Sequence, residues 1–492
     1  MDTAQYKSRR WWDGTRDNPA MNTTISPATS INADGSFATQ PLSPALRAVL
    51  QQLGYLTMTP IQAAALPVAL AGHDLIAQAK TGSGKTVAFA LPLLTNLNPR
   101  YFAVQAMVLC PTRELAEQVT QEIRRLARFE DNVKVLALVG GSIMRPQMAS
   151  LAHGAHIVVG TPGRIMDHLQ RESLNLSALN TLVLDEADRM LDMGFNDDIA
   201  YIAKRCPTSR QTLLFSATYP EGIAALARRF LRRPQEVKLT EQHADHKIRQ
   251  RFYEVKQTER LQAVGQLLKH YRPISTLAFC NTKVQCNALL DELRAEGFQA
   301  MALHGDLEQR ERDQVLIQFA NRSCSVLVAT DVAARGLDIA QLEAVINVDI
   351  TPDPEIHIHR IGRTGRADAD GWALSLCSPT DKKRIAPIAA MMGSEPEWHS
   401  LGNLQGADAS PLVPPMVTLL ILGGRKDKIR PGDVLGALTG TAGFKPEQVG
   451  KITVTDQVTF VAVAREIARD AVRKLAAGKL KGKTVKVRAL ED

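Results

Sequence analysis

The chain has 492 residues, of which 45% are hydrophobic and 22% charged, and its net charge is +8. This length predicts two or three domains, and the composition is typical of a globular protein with apolar cores. No stretch approaches the roughly 20 apolar residues needed to span a bilayer, and the N-terminus has no apolar signal-peptide core, so we expect a cytoplasmic protein with no membrane partner.

The first 36 residues are rich in Asn, Thr, Ser, Pro and Ala and show no periodic apolar pattern, which predicts disorder. From Phe37 onwards, short apolar runs alternate with amphipathic helical segments. The runs DLIAQA, AMVLC, TLVLD and TLLFSAT are typical of buried strands. This alternation predicts a parallel sheet covered by helices on both faces, in a first α/β domain over residues 37–239.

A polar stretch, TEQHADHK, interrupts the pattern, which then resumes with TLAFCN, AMALH, VLVATD and AVINVD. We therefore predict a second α/β domain over residues 247–394. A linker over 395–415 is dense in Gly, Ser and Pro. It leads into a third domain, residues 416–492, whose pattern predicts a small α/β fold of βαββαβ type.

The positive charge is concentrated in the third domain. Residues 411–492 contain fifteen Lys and Arg against eight Asp and Glu, a net +7, so the preceding 410 residues carry the remaining +1. This asymmetry indicates either a module that binds a polyanion or a Lys-rich surface that serves only solubility. Charge alone does not separate the two.

Six cysteines are scattered along the chain without the spacing of a metal site or a disulfide framework. Most of them lie in apolar runs. We expect buried, reduced thiols rather than ligands or bridges.

The segment AKTGSGKT follows one predicted strand and precedes a predicted helix. In that context Gly82 and Gly84 allow backbone N–H groups to surround phosphates, Lys85 neutralises their oxygens, and the Thr86 hydroxyl holds Mg²⁺. Ala79 stands where this motif usually has its first Gly, so a chance Gly-rich turn is the alternative. The whole segment is a candidate ATP-binding loop, comprising Ala79, Lys80, Thr81, Gly82, Ser83, Gly84, Lys85 and Thr86.

An acidic pair follows another predicted strand, in LVLDEAD. Asp185 suits Mg²⁺ coordination, largely through water, and Glu186 can polarise an attacking water. Taken alone, these residues would more simply be helix caps. Together with the phosphate loop they predict a phosphoryl-transfer site.

Phosphoryl transfer also needs positive charge on the developing phosphate oxygens. HRIGRTGR lies in the second α/β domain, and Arg363 and Arg366 are candidate arginine fingers there. We therefore predict a site that is competent only when the two domains close. A plain basic surface loop is the alternative.

Taken together and in order, these motifs resemble those of the DEAD-box RNA helicases, from Phe37 to about Gly393, roughly three quarters of the chain. The resemblance implies two RecA-like domains in tandem and RNA-dependent hydrolysis of ATP with Mg²⁺. GYLTMTPIQ resembles the adenine-reading motif, with Gln62 at the adenine edge, Tyr55 near its face and Phe37 as the upstream aromatic. ARGLD resembles the segment that meets the nucleotide through Gly336 and Asp338.

The segment SAT resembles the element that links ATP hydrolysis to duplex separation, through Asp188, Ser216 and Thr218. Ser216 and Thr218 could instead cap a helix. Further short motifs resemble the RNA-facing positions of the family. These positions are Thr112, Arg113, Gly140, Gly141, Thr161, Pro162, Gly163, Arg164, Thr282, Gln309, Arg312, Thr330 and Asp331. Their side chains suit contacts to phosphate and 2′-OH groups, so we expect RNA binding with little sequence preference.

The third domain resembles the RNA-binding domain of the DbpA subgroup, in LLILGGRKDKIRPGDVLGAL, VGKITVTDQVTFVAV and GKLKGKTVKVRAL. This implies 23S rRNA and the assembling large ribosomal subunit as partners. VTLLILGG has no aromatic residue and VTFVAV offers only Phe460, so we expect binding through basic loops rather than stacking on the sheet. The candidate contacts are Arg425, Lys426, Lys428, Arg430, Lys479, Lys481 and Lys483, although any one of them could be an idle solvated charge.

Two other functions are compatible with these patterns. One is a general RNA helicase of cold shock or RNA decay, whose basic tail binds RNA without choice. The other is an ATP-dependent RNA clamp that no longer hydrolyses ATP, against which the presence of Lys85, Glu186, Arg363 and Arg366 argues. We expect a monomer.

Overall fold

The computed structural model describes residues 35–79, 82–219, 221–239, 248–334, 342–365, 370–404 and 410–490. Five candidate site residues lie outside these ranges, namely Lys80, Thr81, Gly336, Asp338 and Arg366, as do residues 1–34 of the predicted disordered segment. The chain divides into two compact units, residues 1–239 and 240–492.

The first unit is built on a parallel seven-stranded sheet with the strand order β3-β4-β2-β5-β6-β1-β7. Its inner strands are buried on both faces: Leu75 and Ala77 of β1 contact one core, and Ile76 contacts the other. The strands are β1 (Leu75–Gln78), β2 (Ala106–Leu109), β3 (Val135–Leu138), β4 (Ile157–Gly160), β5 (Thr181–Asp185), β6 (Gln211–Ser216) and β7 (Gln235–Lys238). Because all seven run parallel, their carboxyl ends meet at one edge, where ligands of such sheets bind.

Nine helices of this unit have described bounds. They are α1 (Pro44–Gln52), α2 (Pro60–Leu70), α3 (Lys85–Thr95), α4 (Arg113–Leu126), α5 (Met144–Ala152), α6 (Pro162–Gln170), α7 (Ala187–Asp192), α8 (Asn196–Ala203) and α9 (Glu221–Phe230). Several begin directly at predicted motifs. The Thr112 side chain caps α4, for example, by accepting a hydrogen bond from the N–H of Leu115.

The second unit contains a second parallel seven-stranded sheet, with the order β10-β11-β9-β12-β13-β8-β14. Its strands are β8 (Ile248–Glu254), β9 (Thr276–Cys280), β10 (Ala300–Leu303), β11 (Val326–Thr330), β12 (Ala344–Asn347), β13 (Gly371–Cys377) and β14 (Trp398–His399). Its helices are α10 (Arg260–Tyr271), α11 (Lys283–Ala295), α12 (Gln309–Ala320), α13 (Asp331–Ala334), α14 (Pro354–Ile361) and α15 (Lys382–Met392).

The same unit includes a small antiparallel sheet near the C-terminus, with the order β16-β17-β15-β18. The elements are β15 (Met416–Leu422), α16 (Pro431–Gly436), β16 (Val449–Val454), β17 (Val458–Ala464), α17 (Ala468–Ala477) and β18 (Lys486–Ala489). The succession is βαββαβ, as predicted. The two parallel sheets and this third fold confirm the predicted α/β class.

One face of the small sheet packs against its own helices, and the other face packs against the neighbouring domain. Val461 and Val463 of β17 belong to the core beneath the helices, so Phe460, which directly precedes Val461 in the strand, points to the opposite face, where it is still only 6% exposed. On that face the Thr418 hydroxyl lies 2.6 Å from the Ser323 hydroxyl and 3.1 Å from Nδ2 of Asn321, both in the α12–β11 connection. The third domain is thus docked on the neighbouring parallel-sheet domain through its sheet.

All six cysteines are described and buried, which confirms their predicted burial. Over the described ranges, no group of His, Cys, Asp and Glu has the geometry of a metal cluster. Nor does any helix in those ranges have the length and apolarity required to cross a membrane.

His357 on α14 is a fully buried imidazole beneath the ring of Phe252, with the two ring centroids 6.1 Å apart. Neither ring nitrogen has a hydrogen-bond partner within the described residues. Burial, together with the nearby Arg360 guanidinium, lowers the pKa of His357 to about 4. Between pH 6.5 and 4, the imidazole of His357 therefore binds a proton more readily in the unfolded chain than in the folded one.

We expect the second unit to lose stability as the pH falls through that window, because folding must exclude the proton. Between pH 7 and 5 the free energy of unfolding should fall by about 2 kcal/mol more in the wild type than in His357→Leu. Urea unfolding followed by tryptophan fluorescence measures the difference, since Trp372 and Trp398 lie in this unit. Equal pH dependence in the two proteins would show that His357 is not the buried neutral group described.

Candidate active site and RNA-facing surface

The phosphate loop and the predicted adenine motif are in direct contact. Nε2 of Gln62 donates a hydrogen bond to the carbonyl oxygen of Gly84 at 3.1 Å, and Oε1 of Gln62 accepts one from the N–H of Thr59 at 2.9 Å. Gly84 has φ +94°, and a Cβ there would lie 2.5 Å from Nε2 of Gln62, so only glycine fits. The loop then runs directly into α3, whose first residue is Lys85.

Lys85 and Asp185 are two buried residues of opposite charge at the carboxyl edge of the first sheet. Lys85 is 6% exposed and Asp185 3%. Within the described part of the chain, neither Nζ of Lys85 nor Oδ1 of Asp185 has a hydrogen-bond partner. Burial raises the pKa of Asp185 to about 7, although the Lys85 ammonium opposes the shift. An Mg²⁺-bound phosphate fits this pair, because it would offer oxygens to the ammonium and a cation to the carboxylate.

Glu186 follows Asp185 at the end of β5, in the left-handed region with φ +53° and ψ +52°. Non-glycine residues seldom adopt this conformation, and where they keep it a function commonly depends on it. Oε2 of Glu186 accepts a hydrogen bond from Nη1 of Arg189 at 2.8 Å, and both side chains are 6% exposed. The predicted water-polarising carboxylate is therefore held by a buried cation that sequence analysis did not single out.

Asp188 ties the acidic motif to the segment SAT. Its Oδ2 accepts hydrogen bonds from the N–H of Ala217 at 3.0 Å, the N–H of Thr218 at 2.9 Å and the Thr218 hydroxyl at 3.1 Å. Oγ of Ser216 is buried without a partner in the described residues. These bonds place the three predicted coupling residues together, and their coupling role stays a prediction.

The two aromatic residues predicted to lie near adenine are anchored in the first unit. The Tyr55 hydroxyl donates to Oε1 of Glu122 at 2.7 Å, and burial raises the pKa of Tyr55 to about 12, with Glu122 adding to the shift. The Phe37 ring is 5% exposed and belongs to the core. Their contact with a nucleotide stays a prediction.

In the first unit, the structure brings three predicted RNA-facing segments together. A Cβ on Gly140 would lie 2.9 Å from Nη2 of Arg113, so this arginine lies against the glycine pair. Nη1 of Arg164 donates to the Ser142 carbonyl at 3.2 Å and to Oε1 of Gln147 at 3.0 Å. Gln147, on α5, orients Arg164 and was missed by sequence analysis, because no motif marks it.

The corresponding residues of the second unit lie at or near the starts of the helices that follow β9, β10 and β11. Thr282 caps α11, and Gln309 is the first residue of α12. Nη2 of Arg312 donates to the Ala333 carbonyl at 2.6 Å. Thr330 ends β11. Contacts of these residues with RNA stay predictions.

Asp331 is engaged by an arginine that sequence analysis did not assign. Nε and Nη2 of Arg360 donate to the two carboxylate oxygens of Asp331, each at 2.6 Å, and Nη1 donates to the Asp349 carbonyl at 2.6 Å. Arg360 is 1% exposed. The first arginine of HRIGRTGR is thus a buried structural link, while Arg363, three residues on, is 4% exposed.

The basic residues of the third domain lie on two adjacent loops. Nζ of Lys483 is 3.8 Å from Oδ1 of Asp427, and Nζ of Lys481 is 3.6 Å from Oδ1 of Asp433. The first contact joins the loop before β18 to the loop after β15, and the second joins it to the start of α16. All seven predicted basic residues are exposed: Arg425, Lys426, Lys428, Arg430, Lys479, Lys481 and Lys483.

Three family models match the chain in succession. Residues 59–226 match the family described as DEAD/DEAH box helicase, and residues 259–368 match the Helicase conserved C-terminal domain. Residues 418–489 match the DbpA RNA binding domain.

Individual proteins match over most of the same length. The "ATP-dependent RNA helicase DbpA" of Escherichia coli strain K12 is 52% identical over 450 residues, 92% of this chain and 98% of that protein. The "ATP-dependent RNA helicase CshA" of Listeria monocytogenes is 44% identical over 361 residues, 71% of this chain and 68% of that protein. A structure of "S. cerevisiae Dbp5 bound to RNA and ADP BeF3" is 31% identical with a TM-score of 0.69, covering 75% of this chain and 96% of that one.

Proposed function

The chain belongs to the DbpA subgroup of the DEAD-box ATP-dependent RNA helicases, and we propose that it remodels 23S rRNA during assembly of the large ribosomal subunit. In this proposal the helicase domains act on RNA with little sequence preference, and the third domain directs them to one ribosomal site. A tether of this kind raises the local concentration of the site, on the order of millimolar for a short linker.

For the hydrolytic step, we assign roles to the motif residues of the two helicase domains. Lys85 neutralises phosphate charge, and Thr86 and Asp185 hold Mg²⁺, largely through water. Glu186 polarises the attacking water. Arg363 and Arg366 stabilise the charge that develops on the transferred phosphate.

The observation that carries the rRNA proposal is the arrangement of the third domain. The sheet face that RNA-recognition folds commonly use is the covered one, where Thr418 bonds to Ser323 and Phe460 is buried. The seven exposed basic residues lie instead on two loops joined by the Lys483–Asp427 contact, with Lys481 contacting Asp433 at the start of α16. An RNA hairpin would therefore be bound along these loops, through its phosphates and without stacking on the sheet.

A pair of charge-matched variants tests this proposal. Lys479→Glu/Lys483→Glu reverses two charges on the loop before β18, and Arg469→Glu/Arg473→Glu reverses two exposed charges at α17. We expect the first variant to lose at least tenfold in affinity for a 23S rRNA fragment, and the second to change it much less. Affinity is measured with the full chain at one stated salt concentration, with poly-U as the reference RNA.

A loss of equal size for the 23S fragment and for poly-U would favour the general RNA helicase, because the tail would then supply electrostatic attraction alone. Charge reversal is preferable to deleting the third domain. Deletion would expose Asn321 and Ser323, which are 3% and 7% exposed beneath the small sheet.

A further inference from the structure

Arg189 is the buried cation beside the carboxylate to which we assign water activation. Its Nη1 lies 2.8 Å from Oε2 of Glu186, and each side chain is 6% exposed. We propose that Arg189 is a positioning residue that fixes the Glu186 carboxylate in the orientation that polarises the attacking water. The inference rests on the proposed role of Glu186 and adds to it a residue outside the family motifs discussed above.

The backbone explains why Glu186 needs such a partner. Glu186 lies between β5 and α7, and its left-handed conformation turns the chain there. Its side chain therefore projects from a residue that precedes the first residue of the helix. No preceding turn of helix lies beneath it to restrict its rotamers. Arg189 is the third residue of α7 and reaches back over one turn to the carboxylate. A charge-assisted hydrogen bond between two buried groups then limits the carboxylate to one position.

The other charged side chains near Glu186 have different contacts, so Arg189 is the residue that orients its carboxylate. Oδ2 of Asp188 accepts three hydrogen bonds from Ala217 and Thr218, and its Oδ1 accepts the backbone N–H of Arg189, so Asp188 is engaged elsewhere. Lys85 has its ammonium unsatisfied among the described residues, as expected of a group that meets phosphate. For Glu186, the described contacts include a single ion pair, the one with Arg189.

A positioning residue and a merely structural one predict different kinetics. Misplacing a reacting group by about 1 Å can lower the rate on the order of 100-fold. For Arg189→Met we therefore expect kcat of RNA-stimulated ATP hydrolysis to fall about 10- to 100-fold, with KM for ATP and the affinity for RNA within twofold of wild type. Arg189→Lys keeps the charge and should recover part of the loss. Arg473→Met removes an exposed partner of Asp470 with the same spacing and should leave kcat unchanged.

A double-mutant cycle with Glu186→Gln provides the decisive readout. If Arg189 acts through Glu186, adding Arg189→Met to Glu186→Gln should lower kcat no further. The double variant also leaves no unpaired buried carboxylate, so it should bind a fluorescent ATP analogue as tightly as Glu186→Gln alone. That binding verifies the fold.

Three results would overturn the inference: an unchanged kcat in Arg189→Met, a change confined to KM, or losses that multiply in the double variant. Failure of the proposed function looks different. Wild-type turnover in Glu186→Gln would remove Glu186 from water activation, whatever Arg189→Met does.

Discussion

Glu186→Gln is expected to lower RNA-stimulated ATP hydrolysis by about 10²- to 10⁴-fold, the contribution typical of a general base. The amide keeps the shape of the carboxylate but cannot take a proton from water. Lys85, Asp185 and the phosphate loop are untouched, so ATP and RNA should still bind. Phosphate release under saturating ATP and RNA measures the rate, and a fluorescent nucleotide measures the binding.

Glu130→Gln is the matched control, because it makes the same change at an exposed residue outside the motifs. It should hydrolyse ATP at the wild-type rate. If Glu186→Gln did the same, the carboxylate would not activate water and the assigned roles would have to be revised. If it lost nucleotide binding as well, the effect would be on the fold of the site rather than on the chemistry.

Arg360→Met is expected to destabilise the second unit by about 3–5 kcal/mol, the usual result of removing one partner from a buried ion pair. Arg360 is 1% exposed and donates to both oxygens of Asp331, each at 2.6 Å. Its loss leaves the Asp331 carboxylate, whose side chain is 20% exposed, without its cation. Urea unfolding monitored by tryptophan fluorescence measures the change in free energy.

Arg249→Met provides the comparison. Arg249 and Asp370 also form an ion pair at 2.7 Å, but both side chains are 59% exposed. Removal of an exposed pair usually changes stability by about 0–1 kcal/mol. Equal losses in the two variants would contradict the structural role assigned to Arg360.

Much of the fold could be predicted because buried parallel strands have a strong pattern. The run AMVL is apolar throughout, and TLVLD is apolar between its terminal Thr and Asp, since β2 and β5 are covered on both faces. Strand β8, IRQRFYE, lacks this signal. It carries Arg249 and Arg251, whose guanidinium groups lie over the Trp372 ring at 5.4 and 4.9 Å. Such strands depend on tertiary neighbours that a local pattern does not reveal.

The candidate site also combines features that the sequence predicts with features that it does not. The phosphate loop and the acidic pair are contiguous motifs, so their chemistry can be read from residue type and spacing. The contacts between segments that are distant in the sequence cannot be read in this way. Gln62 meets Gly84 across 22 residues, and Arg164 meets Ser142 across 22. Arg189 directly follows LVLDEAD and Arg360 lies within HRIGRTGR, but only burial distinguishes these two residues from solvated arginines.

The sequence likewise does not predict that the neighbouring domain covers one face of the small sheet. The scarcity of aromatic residues in the strands already predicts that the basic loops bind RNA. The structure adds a second reason, since Thr418 on that face bonds to Asn321 and Ser323 of the neighbouring domain. No property of the strand VTLLILGG indicates which surface will cover it.

The central claim is that the third domain directs a sequence-indifferent helicase to 23S rRNA. The most direct measurement is the steady-state ATPase rate of the full chain with equal masses of 23S rRNA, 16S rRNA and poly-U, at one stated salt concentration. The account predicts strong stimulation by 23S rRNA alone, which Lys479→Glu/Lys483→Glu removes. Equal stimulation by the three RNAs would contradict it and leave a general RNA helicase with a basic tail.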